Sequence, residues 1–139
     1  MGTNIRPEVS WKNKYWIDRH RYYELKHFCL QYPTWVKARR HLDSLQKQPD
    51  AIGKIQVSDI SDPTERCVES IEYYTKRIDM IEKAARDTDD YFGKYILLAV
   101  TEEGVSYNYL KYTLGMAGGK DLYYNFYRKF FWVLSNIRE

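Results

Sequence analysis

The sequence predicts an all-α protein, a helical bundle of about five to six helices with a C-terminal helix-turn-helix. Apolar residues recur at helical spacing in nearly every long segment. The chain has no Asn-Gly or Asp-Gly hairpin and few alternating runs of Val, Ile and Thr, so strands are not expected. A length of 139 residues with 17% aromatic residues suits one folded domain with an amphipathic core and excludes a chain that is disordered throughout.

The N-terminal half is predicted to contain two helices after a tail. Residues 1–12 are expected to form a flexible tail, and helices follow at 13–31 and 34–47. Tyr32-Pro33 separates the two helices, because proline disfavours helix in the residue before it.

The third helix has the clearest predicted start in the chain. Residues 48–62 carry proline, glycine and several Asp and Ser residues, which is typical of a connection. Asp62 is a candidate cap, Pro63 suits the first helical position and Glu65 completes a capping box. We therefore expect a helix over 63–87.

This third helix carries a stripe of apolar residues at spacings of four, three, four, three and four. The stripe consists of Cys67, Ile71, Tyr74, Ile78, Ile81 and Ala85. It is shorter than most self-standing coiled coils, so a contact within the bundle is favoured. A homodimer through the helix from Cys67 to Ala85 stays open as the alternative.

A fourth helix is expected at 89–101 and should end at Gly104. Its apolar residues are Phe92, Ile96, Leu97 and Val100. The predicted organisation is thus a single helical domain over 13–139. Within it, 13–87 form a long-helix part and 89–137 form a helix-turn-helix part.

The C-terminal region predicts a short helix, a glycine-containing turn and a long helix. Ser106 is a good cap for a helix from Tyr107 to about Leu114, and the last helix should begin near Gly119 or Lys120. This order is typical of a helix-turn-helix, whose second helix enters the major groove of DNA.

The spacing around the turn can be compared with the usual helix-turn-helix pattern. With Gly115 as the turn glycine, the apolar positions around it fall on Leu110, Leu114 and Met116. Later apolar positions match only after a two-residue insertion, which moves them to Tyr123 and Phe126. Gly118-Gly119 is therefore interpreted as an enlargement of the turn. Lys111 departs from the small residue that the pattern prefers for close helix packing.

The last helix is predicted to be amphipathic. An arc of roughly 80° contains Leu122, Phe126, Phe130, Val133 and Ile137, and Tyr123, Tyr127 and Leu134 widen it to about 140°. Lys120, Tyr124 and Arg128 are expected on the opposite side, with Asn125 at its margin. This cationic face is the predicted DNA contact, and a plain helical hairpin with a capped turn is the alternative.

Three stretches resemble a known family. They are "YPTWVKARRHL", the capped helix after "DPTE", and "YNYLKYTLGMAGGKDLYYNFYRKFFWVL", and the likeness covers most of residues 20–137. Together they resemble the RinA and ArpU-like transcriptional regulators of bacteriophages and prophages in Gram-positive bacteria. The resemblance implies an all-helical protein with a C-terminal helix-turn-helix similar to region 4 of sigma factors. It also implies action on a phage operon promoter, with double-stranded DNA as partner and RNA polymerase as a further candidate.

The resemblance makes Lys120, Tyr124, Asn125 and Arg128 the candidate DNA-contacting residues, with Gly118 and Gly119 in the turn beside them. Arg128 would pair with a guanine edge or a phosphate, and Asn125 would contact adenine. Lys120 would neutralise a phosphate, and Tyr124 would donate to one.

Two further basic groups precede this region. Arg19 to Arg21 and Lys37 to His41 would extend the phosphate contacts, although a solvated helix face is the commoner explanation of such groups. The net charge of +3 permits a nucleic-acid partner without requiring one.

No catalytic residue, metal site or cofactor is predicted. His20, His27 and His41 with Cys29 lack the tight spacing of a zinc site. Cys29 and Cys67 form no CxxC pair, which favours reduced thiols in an intracellular protein. No apolar run is long enough to span a membrane and the N-terminus has no apolar leader segment, so a cytoplasmic protein of a bacterial host cell is expected.

The alternative function is a non-enzymatic protein-interaction role. The many aromatic residues and the heptad-like stripe also suit a small-terminase-like oligomer, an adaptor or an inhibitor of a host protein. Acidic residues at 87–90 and 102–103 lie close before the helix-turn-helix in the sequence, which is unfavourable near a DNA face.

Overall fold

The protein is all-α, as predicted. A computed structural model describes residues 13–46 and 63–139, and within these residues there are five α-helices and no strand. The helices are α1 (Arg19–Leu30), α2 (Tyr32–Gln46), α3 (Pro63–Thr88), α4 (Gly93–Thr101) and α5 (Lys120–Ile137). A π-helical turn, Tyr109–Thr113, precedes α5. The predicted tail at 1–12, the connection at 48–62 and the Asp62 cap lie outside the described residues.

The first helix begins later than the sequence predicts. Residue 13 was the expected start, but Asp18 is the N-cap, with extended backbone at φ −61° and ψ 145°. Its carboxylate accepts the backbone N–H of His20 at 3.0 Å. Asn13 Oδ1 accepts the N–H of Tyr15 at 2.8 Å in a separate local turn. Polar side chains that bond the nearby backbone thus keep residues 13–18 out of the helix.

The break between α1 and α2 lies at Gln31, one residue before the predicted separator. Pro33 falls in the first turn of α2, where the N–H that proline lacks has no helical acceptor. Proline is therefore accommodated at the start of α2, and Tyr32, the residue before it, is helical, contrary to the expectation from the sequence.

The chain divides into two compact units. The larger unit combines residues 13–31 with Met80–Glu139, and the smaller unit is Tyr32–Asp79. This division differs from the predicted grouping of 13–87 and 89–137. The reason is that α1 packs against α4 and α5, which follow it by many residues.

The core of the larger unit lies among α1, α4 and α5. Its buried members from these helices are Tyr22, Leu25, Phe28, Cys29, Ile96, Val100, Tyr123, Phe130, Phe131 and Leu134. Arg21 joins the first and last helices, donating from Nε to Ser135 Oγ and from Nη2 to the Ser135 carbonyl, both at 3.1 Å. Nη2 also donates to the carbonyl of Arg138. Arg21 thereby satisfies carbonyls at the end of α5 and is engaged in the fold.

The corner between α3 and α4 is close-packed. The predicted helix start at 89 is replaced by a turn, because Asp89 Oδ2 accepts the N–H groups of Tyr91 and Phe92 at 2.9 and 2.8 Å. Helix α4 then begins at Gly93. A Cβ atom added at Gly93 would lie 2.6 Å from the carbonyl oxygen of Ala85 in α3. The two helices approach so closely here that a side chain has no room.

The smaller unit contains α2 and the first part of α3. Arg39 Nη1 donates to Thr75 Oγ1 at 3.4 Å, a contact between the two helices. Along the predicted stripe, Cys67, Ile71 and Tyr74 are half-buried and Ile78 is fully buried. Ile81 and Ala85, which belong to the larger unit, are also buried. The stripe is therefore most deeply covered toward its C-terminal end, and the homodimer stays a prediction.

Within residues 13–46 and 63–139, no helix has the length and apolar character needed to cross a membrane.

Candidate nucleic-acid interface

The C-terminal region has the predicted order of a short helical stretch, a turn and a long helix. Residues 107–113 are helical, and Ser106 Oγ accepts the N–H of Tyr109 at 3.1 Å, as expected of a cap. The last five of these residues form the π-helical turn. Such turns are rare and occur frequently at functional sites, so the π-helical turn is consistent with a functional role for this part of the chain.

The apolar positions predicted around Gly115 are only partly confirmed. Leu110 and Met116 are buried, and the N–H of Met116 donates to the Leu110 carbonyl at 2.9 Å. Leu114 was expected in the core but is exposed. Tyr123 and Phe126, the positions reached after the two-residue insertion, are buried and half-buried.

Two of the turn glycines have backbone angles that other residues rarely adopt. Gly115 has φ +74° and Gly118 has φ +113°. Gly119 differs, because it has φ −86° and ψ 169° and is the N-cap of α5. Gly118 and Gly119 therefore have distinct roles: the first reverses the chain and the second starts the helix.

The turn is held by contacts from three directions. The Gly118 carbonyl accepts hydrogen bonds from Tyr107 Oη at 3.0 Å and from Lys111 Nζ at 3.4 Å. The backbone N–H of Ala117 donates to Tyr91 Oη at 2.7 Å. A Cβ atom added at Gly118 would lie 2.8 Å from Cζ of Phe92, so that ring packs directly on the glycine. The turn thus has a defined position relative to α4 and α5.

The buried side of α5 is displaced from the predicted arc. Phe131 lies outside the predicted arc and is 1% exposed, whereas Leu122 and Ile137 lie inside it and are 46% and 37% exposed. At 100° per residue, the centre of the buried stripe moves by roughly 50°. The physical cause is the docking of α1, whose Tyr22 ring meets the Phe131 ring edge-on at 5.0 Å between centroids.

The predicted DNA-contacting residues are consequently not all on the side opposite the core. Lys120 is exposed in the first turn, and Asn125 is half-buried on the outer side. Tyr124 lies beside the core, with its ring 6.4 Å from that of Tyr107 and 6.3 Å from that of Tyr127. Arg128 is half-buried, and its Nε is buried with no hydrogen-bond partner within the described part of the chain.

The outer face of α5 is defined here as the residues within about 60° of the direction opposite the buried stripe. They are Asp121, Leu122, Asn125, Arg128, Lys129, Trp132 and Asn136. Lys129 is the cation that sequence reasoning missed, since the displaced arc put it near the apolar side. The aromatic pair Phe130-Phe131 is the sequence feature that would have indicated the correct register. Trp132 is partly covered by Tyr15, with 5.4 Å between the ring centroids.

Three cations lie on the first three turns of α5. Lys120, Arg128 and Lys129 form no ion pair with another residue of 13–46 or 63–139. Asp121 is the acidic residue in this region, and its place in the first turn suits the positive end of the helix dipole. The outer face therefore has a cationic part centred on Arg128 and Lys129.

Buried tyrosines lie on the inner side of the same helix. The hydroxyls of Tyr22 and Tyr127 are 3.2 Å apart in the interface between α1 and α5. Burial raises the pKa of Tyr22, Tyr123 and Tyr127 above the ordinary value of 10.0, because the phenolate is poorly solvated there.

We expect the protein to lose stability as the pH rises above about 10, the ordinary tyrosine pKa. The unfolded chain releases these tyrosine protons there while the folded chain retains them, so unfolding is favoured as pH increases. Urea unfolding between pH 8 and 11 measures this change, with Tyr127→Phe expected to reduce the slope. A stability that is constant over this range would contradict the buried tyrosine pair.

A surface groove of about 380 Å³ lies between the end of α3 and α4. It is lined by Glu82, Ala85, Arg86, Asp89, Asp90, Gly93, Lys94 and Leu97. Its lining contains three carboxylates, two cations and three non-polar residues, and it contains no cysteine, histidine or serine.

The side chains considered as zinc ligands are placed as follows. Cys29 is fully buried, with its pKa raised by burial, whereas His20, His27 and His41 are exposed. In the two described ranges, no group of three or more His, Cys, Asp or Glu side chains is arranged to hold a metal ion.

Comparison of the chain with known protein families, curated proteins and solved structures finds no match. The resemblance to the RinA and ArpU-like regulators therefore stays a prediction.

Proposed function

We propose that this protein is a DNA-binding transcriptional regulator of a phage or prophage operon, acting through its C-terminal helix-turn-helix. The observation that carries the proposal is a fixed turn followed by a long helix whose outer face presents Asn125, Arg128 and Lys129. A rigid turn is needed because a recognition helix must keep its orientation in the major groove. The resemblance to phage regulators supports the same function.

The candidate residues divide by the DNA atoms that their chemistry suits. Asn125 lies opposite the core and would contact adenine through its amide, while Arg128 would pair with a guanine edge or a phosphate. Lys120 and Lys129 would neutralise phosphates on either side of the groove. Tyr124, whose ring is engaged beside the core, would act mainly by holding α5 against the helical stretch before the turn.

A gel-shift titration with duplex DNA over a salt series tests the proposal. The observed affinity should fall by about 0.9 log unit per log unit of salt for each phosphate neutralised. Arg128→Ala and Lys129→Ala should each weaken binding by about 1–3 kcal/mol, and the lysine variant should lower the salt slope by about one. Lys76→Ala on α3 is the charge-matched control and should leave the affinity unchanged. Unaltered helical content and thermal unfolding would show that the variants fold.

A protein-interaction role is the second candidate, and exposed apolar side chains around the turn favour it. Tyr112 is 75% exposed, and Tyr109, Leu114 and Leu122 are each at least 40% exposed. Large apolar side chains that are exposed close together in the sequence are consistent with a protein-binding surface. The same titration separates the two functions. Absent duplex binding, or salt-insensitive binding that Arg128→Ala leaves unchanged, would contradict DNA recognition by this face of α5 and favour the turn as a protein contact.

A further inference from the structure

The corner before α4 contacts the turn before α5, although the two are far apart in sequence. Asp89 fixes the corner through its hydrogen bonds to the N–H groups of Tyr91 and Phe92. Tyr91 contacts the turn through its hydroxyl, and Phe92 contacts it through its ring.

Tyr91 provides the polar contact. Its hydroxyl oxygen accepts the N–H of Ala117 at 2.7 Å across 26 residues of chain. That hydrogen bond lowers the pKa of Tyr91, since a donated proton stabilises the phenolate. The contact lies at the surface, where water would replace it at small cost to overall stability.

Phe92 provides the apolar contact. Its ring packs on Gly118 from one side and stacks on Phe126 of α5, with 5.0 Å between centroids and 25° between planes. The ring thus sets the distance between the turn and the second turn of α5. The hydrogen bond from the Ala117 N–H to Tyr91 adds a directional contact one residue before Gly118, beside the bonds that Tyr107 and Lys111 donate to the Gly118 carbonyl.

We infer that Tyr91 is a positioning residue for DNA binding: its hydroxyl holds the turn at Ala117 and thereby orients the first turns of α5. The inference rests on the proposed function and adds to the DNA-binding unit a residue that precedes both the short helical stretch at 107–113 and α5. Lys120 and Asn125 lie three and eight residues beyond the anchored amide, so a shift of the turn displaces both. Reaction or recognition geometry is sensitive to displacements of about 1 Å, even when the fold is unchanged.

Tyr91→Phe tests this inference because it removes the hydroxyl and keeps the ring. We expect hydrogen exchange at the Ala117 amide to accelerate. We also expect duplex affinity to fall by about two- to tenfold, which corresponds to the net free energy of one hydrogen bond. The salt slope should stay the same, because the number of phosphates contacted does not change. Global stability in urea should change little. A purely structural role would instead lower stability and leave the affinity of the folded protein unchanged.

Tyr23→Phe is the matched control, an exposed tyrosine on α1 that is distant in sequence from the turn. It should alter neither the exchange of Ala117 nor the affinity. Faster exchange in Tyr91→Phe with wild-type affinity would overturn the positioning role, as would unchanged exchange. If the wild-type protein binds no duplex at low salt, the proposed function fails, and the exchange experiment still tests the contact between Tyr91 and Ala117.

Discussion

Gly93→Ala is expected to destabilise the protein by about 3 kcal/mol, at the upper end of the range for overpacking. The added methyl would lie 2.6 Å from the carbonyl oxygen of Ala85, and that oxygen belongs to the backbone of α3. Neither helix can relieve this contact by a side-chain rotation, so the helices must move apart. Helix propensity alone predicts that Gly93→Ala stabilises the protein, since alanine is favoured over glycine by about 1 kcal/mol in a helix.

Urea unfolding of Gly93→Ala measures the effect, and Gly119→Ala is the control. A Cβ atom at Gly119 would meet no heavy atom within 4 Å, and the backbone there is extended. The control should therefore cost at most about 1 kcal/mol, the difference expected for a poorer N-cap. A Gly93→Ala protein as stable as the wild type would show that α3 and α4 do not approach as described.

Phe131→Ala should cost about 3–5 kcal/mol, the range for removing a fully buried phenylalanine. Leu122→Ala, on the same helix, should cost less than about 1 kcal/mol because its side chain is largely exposed. The pair tests the register of α5 directly, since the sequence pattern assigned Leu122 to the core and omitted Phe131. Chemical unfolding of both variants gives the comparison. If Leu122→Ala destabilised the protein more than Phe131→Ala, the arc predicted from the sequence would be the buried one. Lys129 would then not lie on the outer face.

Local signals in the sequence accounted for several elements. The starts of α3 and α5 and the cap at Ser106 were predicted correctly, because proline, glycine and serine act on the backbone within a few residues. The same kind of signal was wrong at Asp89. That residue was expected to begin a helix, and its carboxylate instead closes a turn that delays α4 to Gly93.

Local sequence signals did not predict which face of α5 is buried. Aromatic residues lie on both flanks of the helix, so several arcs of similar hydrophobicity compete. Tyr124 was placed opposite the core, and Phe131 was omitted from the apolar arc. The choice among these arcs depends on α1, whose Tyr22 packs against Phe131 and Tyr127. Such a contact joins residues more than 100 positions apart and leaves no periodic pattern near either one.

The sequence by itself determined the helical class, the order of the C-terminal elements and the need for glycine at the turn, because these follow from backbone preferences of neighbouring residues. Only the tertiary structure decided which face of α5 is outward and how the turn is held. Both depend on contacts between distant segments: α1 against α5, and Tyr91 and Phe92 against Ala117 and Gly118. The candidate DNA contacts therefore rest on long-range packing, which brings Lys129 to the outer face and leaves Tyr124 beside the core.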